Sequence, residues 1–196
     1  MPPAVVAAAL RSPPRSEASK DSDGRREQIL SPVLYLFMRI VQVNTDQEIQ
    51  QARELFQEYE AAMGTTPCFQ NFAQELAGLP GDYAPPSGRL LLATEDDRLA
   101  GCIALRKLGP DACEMKRLFV RPPFRGSGLG RWLVDAVVEE ARKIGYTRLR
   151  LETLPGKMDG AISLYRSFGF TEIPPYTENP VEATKFMELN LEPQEK

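Results

Sequence analysis

The spacing of apolar residues after position 45 predicts an amphipathic helix. Apolar side chains recur at intervals of three and four residues from Ile49 to Met63, which places them on one helix face. Thr45 and Glu48 precede this run at capping-box spacing, so each side chain can accept a hydrogen bond from the other residue's backbone N–H. Gly64 can end the helix, because glycine is favoured just after a helix C-terminus.

Short apolar runs predict strands on both sides of further helices. The predicted strands are RIVQV (39–43), RLLLAT (89–94), LAGCIALRK (99–107), ACEMKRLFV (112–120), RLRLET (148–153), GFTEI (169–173) and ATKFMELNL (183–191). Further helices are predicted around 69–76, from a glycine-rich loop to about Ile144, and from Ala161 to Phe168. Asp96 and Asp97 lie between two strands and suit a hairpin turn.

The order of these elements predicts one α/β (α+β) domain. It contains a mixed, mostly antiparallel twisted sheet with helices on both faces. Residues 112–120 and 148–153 are separated by a single helix, so we expect them to be parallel neighbours. We place the domain at residues 38–191, with a C-terminal tail at 192–196 and a disordered or extension-like tail at 1–37. In the N-terminal tail, Pro, Ser, Ala and charges of both signs alternate without a period.

The composition narrows the classes of function. The net charge of −3 shows no basic excess for nucleic acid, and no apolar run is long enough for a membrane span. Three separated cysteines without a CxxC pair are typical of a reducing compartment, so we predict a cytoplasmic protein without a metal site. The chain contains no histidine, which removes the usual general base. Acid–base chemistry must therefore use Glu, Asp, Tyr, Lys or water.

The segment VRPPFRGSGLGRWLVDAV (120–137) joins a strand to a helix through a loop that suits an anion. The first N–H groups of a helix lack partners within the helix, and the helix dipole makes this end positive. Glycines allow an oxyanion to approach these N–H groups closely, and Arg121, Arg125 and Arg131 can add charge. The spacing fits neither the P-loop nor the dinucleotide fingerprint. From the glycines alone, a turn that only connects the two elements is the favoured interpretation.

Residues CEMKRLFVRPPFRGSGLGRWLVDAVVEEARKIGYTRLRLET and the later AISLYRSFGFTEI resemble the core of the GNAT superfamily, the acyl-CoA-dependent N-acetyltransferases. The resemblance implies that two splayed parallel strands hold acetyl-CoA as the acyl donor. It implies that the loop from Arg125 to Gly130, with Arg131 at its edge, holds the coenzyme pyrophosphate on its backbone N–H groups; we call this loop the cradle. The strand before the loop (112–120) is implied to hold the pantetheine arm. The expected cofactor-binding residues are Leu118, Phe119, Val120, Arg125, Gly126, Ser127, Gly128, Leu129, Gly130 and Arg131.

The same resemblance identifies candidate catalytic residues. Tyr165 lies where many family members keep a tyrosine near the coenzyme sulfur, and an unperturbed phenol keeps its proton at neutral pH. Glu114 is the leading candidate for the general base, with ion pairing to Lys116 or Arg117 as the alternative. Glu152, near the end of the following strand, is a second carboxylate to consider for this role. Cys113 is expected to be a small buried side chain, since no histidine can activate it.

The resemblance implies direct transfer of an acetyl group from acetyl-CoA to a primary amine. We predict a small-molecule acceptor, because no added peptide-docking domain is evident. The alternatives are acetylation of a protein N-terminus or lysine, and a non-catalytic acyl-CoA sensor. We expect a monomer or a homodimer.

Overall fold

The computed structural model describes residues 38–64, 71–177 and 183–192. Seven strands form one sheet: β1 (Met38–Gln42), β2 (Arg89–Glu95), β3 (Arg98–Lys107), β4 (Ala112–Val120), β5 (Arg148–Thr153), β6 (Thr171–Ile173) and β7 (Lys185–Asn190). The helices are α1 (Asp46–Met63), α2 (Phe72–Ala77), α3 (Leu129–Ile144) and α4 (Asp159–Ser167). The predicted order of strands and helices is confirmed. The tails lie outside the described residues, except for Glu192.

The sheet has the order β1-β2-β3-β4-β5-β7-β6, and β4 and β5 are its parallel pair. All other neighbouring strands are antiparallel. This confirms the mixed, mostly antiparallel sheet and its parallel pair. Asp96 and Asp97 form the hairpin turn between β2 and β3, both with positive φ, as two-residue turns of this type require.

Alternation along the strands gives the sheet two apolar faces. Ile103 and Leu105 of β3 join the core under α3 and α4, whereas Cys102 and Ala104 join the core under α1 and α2. The helices therefore cover both faces, as predicted. Thr45 and Glu48 form the predicted capping box at the start of α1.

The parallel pair separates soon after it begins. Residues Ala112–Glu114 pair with Arg148–Arg150, but β4 continues to Val120 and β5 to Thr153 without further pairing between them. The two strands therefore diverge at the centre of the sheet. This divergence is the feature that places the candidate site.

A β-bulge in β4 lies beside the divergence. Between the pairs Cys102↔Phe119 and Ala104↔Lys116, β4 has one residue more than β3. Arg117 lies in this bulge with φ of 57°. An extra residue breaks the alternation of faces. As a result, the adjacent side chains of Lys116 and Arg117 both line the same cleft.

Candidate active site

The glycine loop forms a turn that leads directly into α3. Gly126 and Gly128 have φ of 80° and 87°, in the left-handed region that glycine adopts at little cost. Gly128 is the residue before the helix, and no side chain caps this helix end. A Cβ built on Gly126 would meet no atom within 4 Å, so the loop is open on that side. The uncapped N–H groups and open glycines fit a pyrophosphate oxyanion.

Two arginines lie beside this loop, and a third points away from it. Arg125 is exposed and its Nε donates to the Val120 carbonyl at 2.9 Å. Arg131 is also exposed, stacks 4.7 Å from the Phe168 ring centroid and contacts Ser167. Arg121 instead pairs with Glu54 and Glu58 of α1. Its charge is therefore already compensated, and the suggestion that it adds to the anion site is not supported by its position.

The remaining expected cofactor-binding residues continue from β4 into α3. Leu118, Phe119 and Val120 follow the bulge, in the part of β4 that has separated from β5. Ser127 donates its hydroxyl to the Phe124 carbonyl at 2.7 Å, which holds the loop in shape. Leu129 is buried, and a Cβ on Gly130 would lie 3.8 Å from the Leu164 side chain. The structure thus brings the free strand edge, the glycine loop and the start of α3 into one continuous segment.

A cleft lies between β4, β5 and the end of α1. Its walls combine charged and apolar side chains. They are Tyr59, Met63, Glu114, Met115, Lys116, Arg117, Glu152, Thr153, Leu154 and Met158. The Nζ of Lys157, just after β5, donates to the Met63 carbonyl at 2.9 Å. This hydrogen bond ties together two walls of the cleft that are far apart in sequence.

Glu114 is fully buried, and both of its carboxylate oxygens have hydrogen-bond or ion-pair partners. One oxygen accepts from Nε of Arg106 at 2.6 Å and lies 3.7 Å from Nζ of Lys116. The other oxygen accepts from the Tyr176 hydroxyl at 2.9 Å. The sequence indicated Lys116 as a partner, but Arg106 and Tyr176 were missed. The pairing of Arg106 with Glu114 across β3 and β4 could have been inferred from a correct strand register.

Glu152 differs from Glu114 in having no hydrogen bond or ion pair within the described part of the chain. It is half-buried near the end of β5. Burial raises the pKa of its carboxyl group, Lys116 lowers this pKa, and Glu114 raises it further; the net direction is upward. A carboxylate with a raised pKa and no partner is suited to accept a proton.

Tyr165 lies on α4, in the core under α3 and α4, and it is not among the residues that line the cleft. Its side chain is 3% exposed and packs against Phe170, with ring centroids 5.8 Å apart. Burial raises the pKa of its hydroxyl, and the phenol of Tyr59 on the cleft wall contributes in the same direction. Tyr165 is therefore a protonated phenol at neutral pH. Its ring is packed in the core, and its hydroxyl is close enough to the Tyr59 phenol of the cleft wall for the two groups to interact electrostatically.

Arg117 was one of two alternative ion-pair partners considered for Glu114, but it pairs with Glu75 of α2. Its Nε lies 2.8 Å from the Glu75 carboxylate, and its Nη2 contacts the second oxygen. The Tyr83 hydroxyl also donates to Glu75, at 2.7 Å. Burial alone raises the pKa of Glu75, but the hydrogen bonds and charge of Arg117 outweigh it, so the pKa is lowered. The positive φ of Arg117 was not evident from the strand-like sequence.

Cys113 is fully buried, and burial raises the pKa of its thiol to about 12. This confirms the expectation of a buried, unreactive side chain. Among the described residues, no group of three or more Cys, Asp and Glu side chains is placed to hold a metal ion. Within the same ranges, no helix has the length and apolar character needed to cross a membrane.

Known proteins resemble this chain in sequence and in fold. Residues 49–170 match the acetyltransferase (GNAT) family. An uncharacterised N-acetyltransferase from Schizosaccharomyces pombe is 39% identical over 76% of this chain and 92% of its own length. A GNAT acetyltransferase structure from Staphylococcus aureus covers 79% of this chain and 99% of its own, with a TM-score of 0.66 and 21% identity.

A further structure, aminoglycoside 6'-N-acetyltransferase complexed with coenzyme A, has a TM-score of 0.60 and 16% identity. It covers 81% of this chain and 99% of its own. The two structures agree with the fold described above. The chain therefore belongs to the acetyltransferase (GNAT) family and is an N-acetyltransferase that uses acetyl-CoA.

Proposed function

We propose that this enzyme transfers the acetyl group directly to the primary amine of a small molecule. The observation that carries this proposal is the lining of the cleft, which combines the charged side chains of Lys116 and Glu152 with apolar walls, as small-ligand sites do. The bond from Lys157 to the Met63 carbonyl ties its walls together.

We propose that the loop from Arg125 to Gly130 and the edge residue Arg131 hold the coenzyme pyrophosphate. Leu118–Val120 would hold the pantetheine arm along the free edge of β4. When bound, acetyl-CoA supplies the acetyl group as a thioester whose carbonyl carbon the amine attacks. The uncapped N–H groups of α3 and the exposed guanidinium groups of Arg125 and Arg131 support this placement.

Proton transfer needs an acid and a base, and the chain offers a buried phenol on α4 and two carboxylates that line the cleft. We propose that Tyr165 gives its proton to the sulfur as the carbon–sulfur bond breaks. The base removes a proton from the acceptor's ammonium group so that its nitrogen can form the new bond to carbon. The second nitrogen proton restores the Tyr165 phenol, directly or through water, and the base returns its own proton to solvent.

Two carboxylates are proposed for the base, and their environments differ. Glu114 is the residue that the family resemblance favours, but its two oxygens already have three partners. Glu152 has none within the described residues, and its raised pKa is closer to the working pH. These observations support Glu152 as the base, with Glu114 stabilising the two cations around it.

The Glu114→Gln and Glu152→Gln variants distinguish these roles. Loss of the base should lower turnover by about 10²–10⁴, most strongly at low pH, where the acceptor amine is protonated. Glu152→Gln should also melt at a higher temperature than the wild type at neutral pH. The pKa of Glu152 is ordinarily 4.5 in the unfolded chain and is raised in the folded protein. Between these two pKa values the folded state binds more protons, so the free energy of unfolding of the wild type falls as the pH rises. Glutamine does not titrate, so the variant avoids this loss. If only Glu114→Gln shows the pH-dependent loss, Glu114 is the base.

The acceptor class is tested by incubating the protein with acetyl-CoA and a panel of small amines, polyamines, amino acids and peptides, and following thiol release. We expect small amines to be used and peptides to be poor acceptors. Efficient use of peptides or of protein N-termini would instead favour the second function considered, protein acetylation. We also propose that the protein acts in the cytoplasm, as a monomer or homodimer; gel filtration and localisation of the tagged full chain test this.

A further inference from the structure

Two side chains of opposite charge line the cleft without a close partner of their own. Glu152 has no hydrogen bond or ion pair within the described residues. The nearest carboxylate oxygen to the Lys116 ammonium is one of Glu114, at 3.7 Å, and that oxygen already accepts from Arg106 at 2.6 Å. The Lys116 side chain is 16% exposed, so its desolvation is only partly compensated.

The other cations near the cleft are more closely paired. Arg117 forms two contacts with Glu75, and Arg106 has its close contact with Glu114. Of the cations that line the cleft, Lys116 is the one without a close carboxylate contact, and its ammonium has three N–H donors. Lys116 and Glu152 both line the cleft and influence each other electrostatically, but their charged atoms are more than 4 Å apart, so they do not form an ion pair.

We propose, on the basis of the function proposed above, that the acceptor is an α-amino acid or another small amine with a carboxylate on the neighbouring carbon. Glu152 binds its ammonium group and Lys116 binds its carboxylate. Such a molecule carries two opposite charges a few bonds apart, which matches the two unsatisfied charges of the cleft. The apolar walls, formed in part by Tyr59, Met63 and Met158, then contact its side chain.

Other amines match this cleft less well. A polyamine would bring a second cation towards Lys116, where like charges repel each other. A peptide N-terminus has a neutral amide at the position of the carboxylate, and a simple alkylamine has nothing there. In each case Lys116 would remain without its charge-assisted hydrogen bond.

The proposal is tested with matched acceptor series. Each series contains an amino acid, its amide and its decarboxylated amine: for example alanine, alaninamide and ethylamine, or phenylalanine, phenylalaninamide and phenethylamine. Thiol release from acetyl-CoA gives kcat/KM for each member. We expect the amino acid of at least one series to exceed its amide and amine by about tenfold to a hundredfold, the effect of one charge-assisted hydrogen bond. Equal or lower values for the amino acids throughout would overturn the proposal.

Variants of Lys116 give an independent test. Lys116→Met removes the charge and should reduce the ratio of kcat/KM between amino acid and amine by at least tenfold, whereas Lys116→Arg should preserve most of it. Lys143 of α3 is exposed and pairs with Glu140 outside the cleft lining, so Lys143→Met should leave the ratio unchanged. Thermal melting checks that each variant folds; if Lys116→Met does not fold, the acceptor series with the wild type decides.

Failure of this inference differs from failure of the function on which it rests. Turnover of small amines without any preference for a carboxylate, or with a ratio that Lys116→Met does not change, contradicts only the acceptor class proposed here. Absence of thiol release with every acceptor, although acetyl-CoA binds, contradicts both proposals. Preferential turnover of peptides also contradicts both.

Discussion

The ion pair between Arg117 and Glu75 should be a main contribution to the stability of the cleft wall. The side chain of Arg117 is 6% exposed and that of Glu75 is 20% exposed. Arg117 lies 5.2 Å from the Phe72 ring centroid, so the pair also holds α2 against the bulge of β4. Glu75→Gln keeps the size of the side chain and an oxygen that can accept from Tyr83, but it removes the charge opposite Arg117.

The expected loss of stability in Glu75→Gln follows from the burial of the Arg117–Glu75 ion pair. Removing one partner of a buried ion pair leaves an uncompensated charge and costs about 3–5 kcal/mol. Glu75 is partly exposed, so water can replace some of the lost interaction, and we expect the lower end, about 3 kcal/mol. For a domain of this size, roughly 2–4 °C of melting temperature corresponds to each kcal/mol. The expected decrease for Glu75→Gln is therefore about 6–12 °C at neutral pH.

The assay is thermal melting of the wild type and the variant, followed by circular dichroism at neutral and acidic pH. The pKa of Glu75 is lowered in the folded protein, so its stabilisation is fully present above the unfolded value, ordinarily 4.5. The stabilisation is lost as the pH falls through the lowered folded value. The difference between wild type and variant should thus narrow on acidification, because the wild-type carboxylate then becomes protonated.

Glu172→Gln is the matched control. Glu172 contacts two cations, Arg166 at 3.0 Å and Lys185 at 2.6 Å, but its side chain is 46% exposed. Exposed ion pairs contribute little to stability, so this variant should melt close to the wild type. The reasoning is refuted if Glu75→Gln loses less than about 2 °C at neutral pH, if its loss is independent of pH, or if the control loses as much.

Three further predictions concern the coenzyme loop, the acid and the tail. Gly128→Leu and Gly145→Leu introduce a side chain at φ of 87° and 101°, at the two ends of α3. Both variants should lose about 1–2 kcal/mol of stability, but calorimetry should show weaker acetyl-CoA binding only for Gly128→Leu. If Gly128→Leu bound acetyl-CoA as tightly as the wild type, the proposed pyrophosphate site at this loop would be wrong. Tyr165→Phe should lower turnover by about 10²–10⁴ with coenzyme affinity retained. Its control is Tyr146→Phe, which removes only a hydrogen bond to the Ser87 carbonyl and should retain turnover; an unchanged rate for Tyr165→Phe would exclude its role as acid. A shortened chain that begins at Met38 should melt within a few degrees of the full chain, as the composition of residues 1–31 predicts, and a large decrease would show that the tail contributes to folding.

Local patterns in the sequence were sufficient for the elements and for the glycine turn from β4 into α3. The capping box of Thr45 and Glu48 depends on residues three apart, and strand alternation depends on residues two apart. The glycines of the loop have positive φ because the turn from β4 into α3 requires it, and the spacing of Gly126 and Gly128 already indicated such a turn. The parallel pairing of β4 and β5 follows from the single helix between them.

Only the tertiary structure decided which partner each charged side chain has. Glu114 accepts from Tyr176, 62 residues away, and Lys157 donates to the carbonyl of Met63, 94 residues away. Arg121 follows β4 directly, yet it pairs with α1 instead of the loop. A side chain's partner is decided by the register of the sheet and the packing of helices on it, neither of which is evident from neighbouring residues.

The bulge at Arg117 illustrates the same limit for the backbone. ACEMKRLFV has the composition of a regular strand, and no glycine marks the position of positive φ. The bulge exists because β3 and β4 pair with one residue more on β4, and this mismatch places Lys116 and Arg117 side by side at the cleft. The sequence by itself therefore determined the order of elements and the glycine turn. The pairing of distant strands and helices decided which charges line the cleft, because those charges come from residues that are neighbours only after folding.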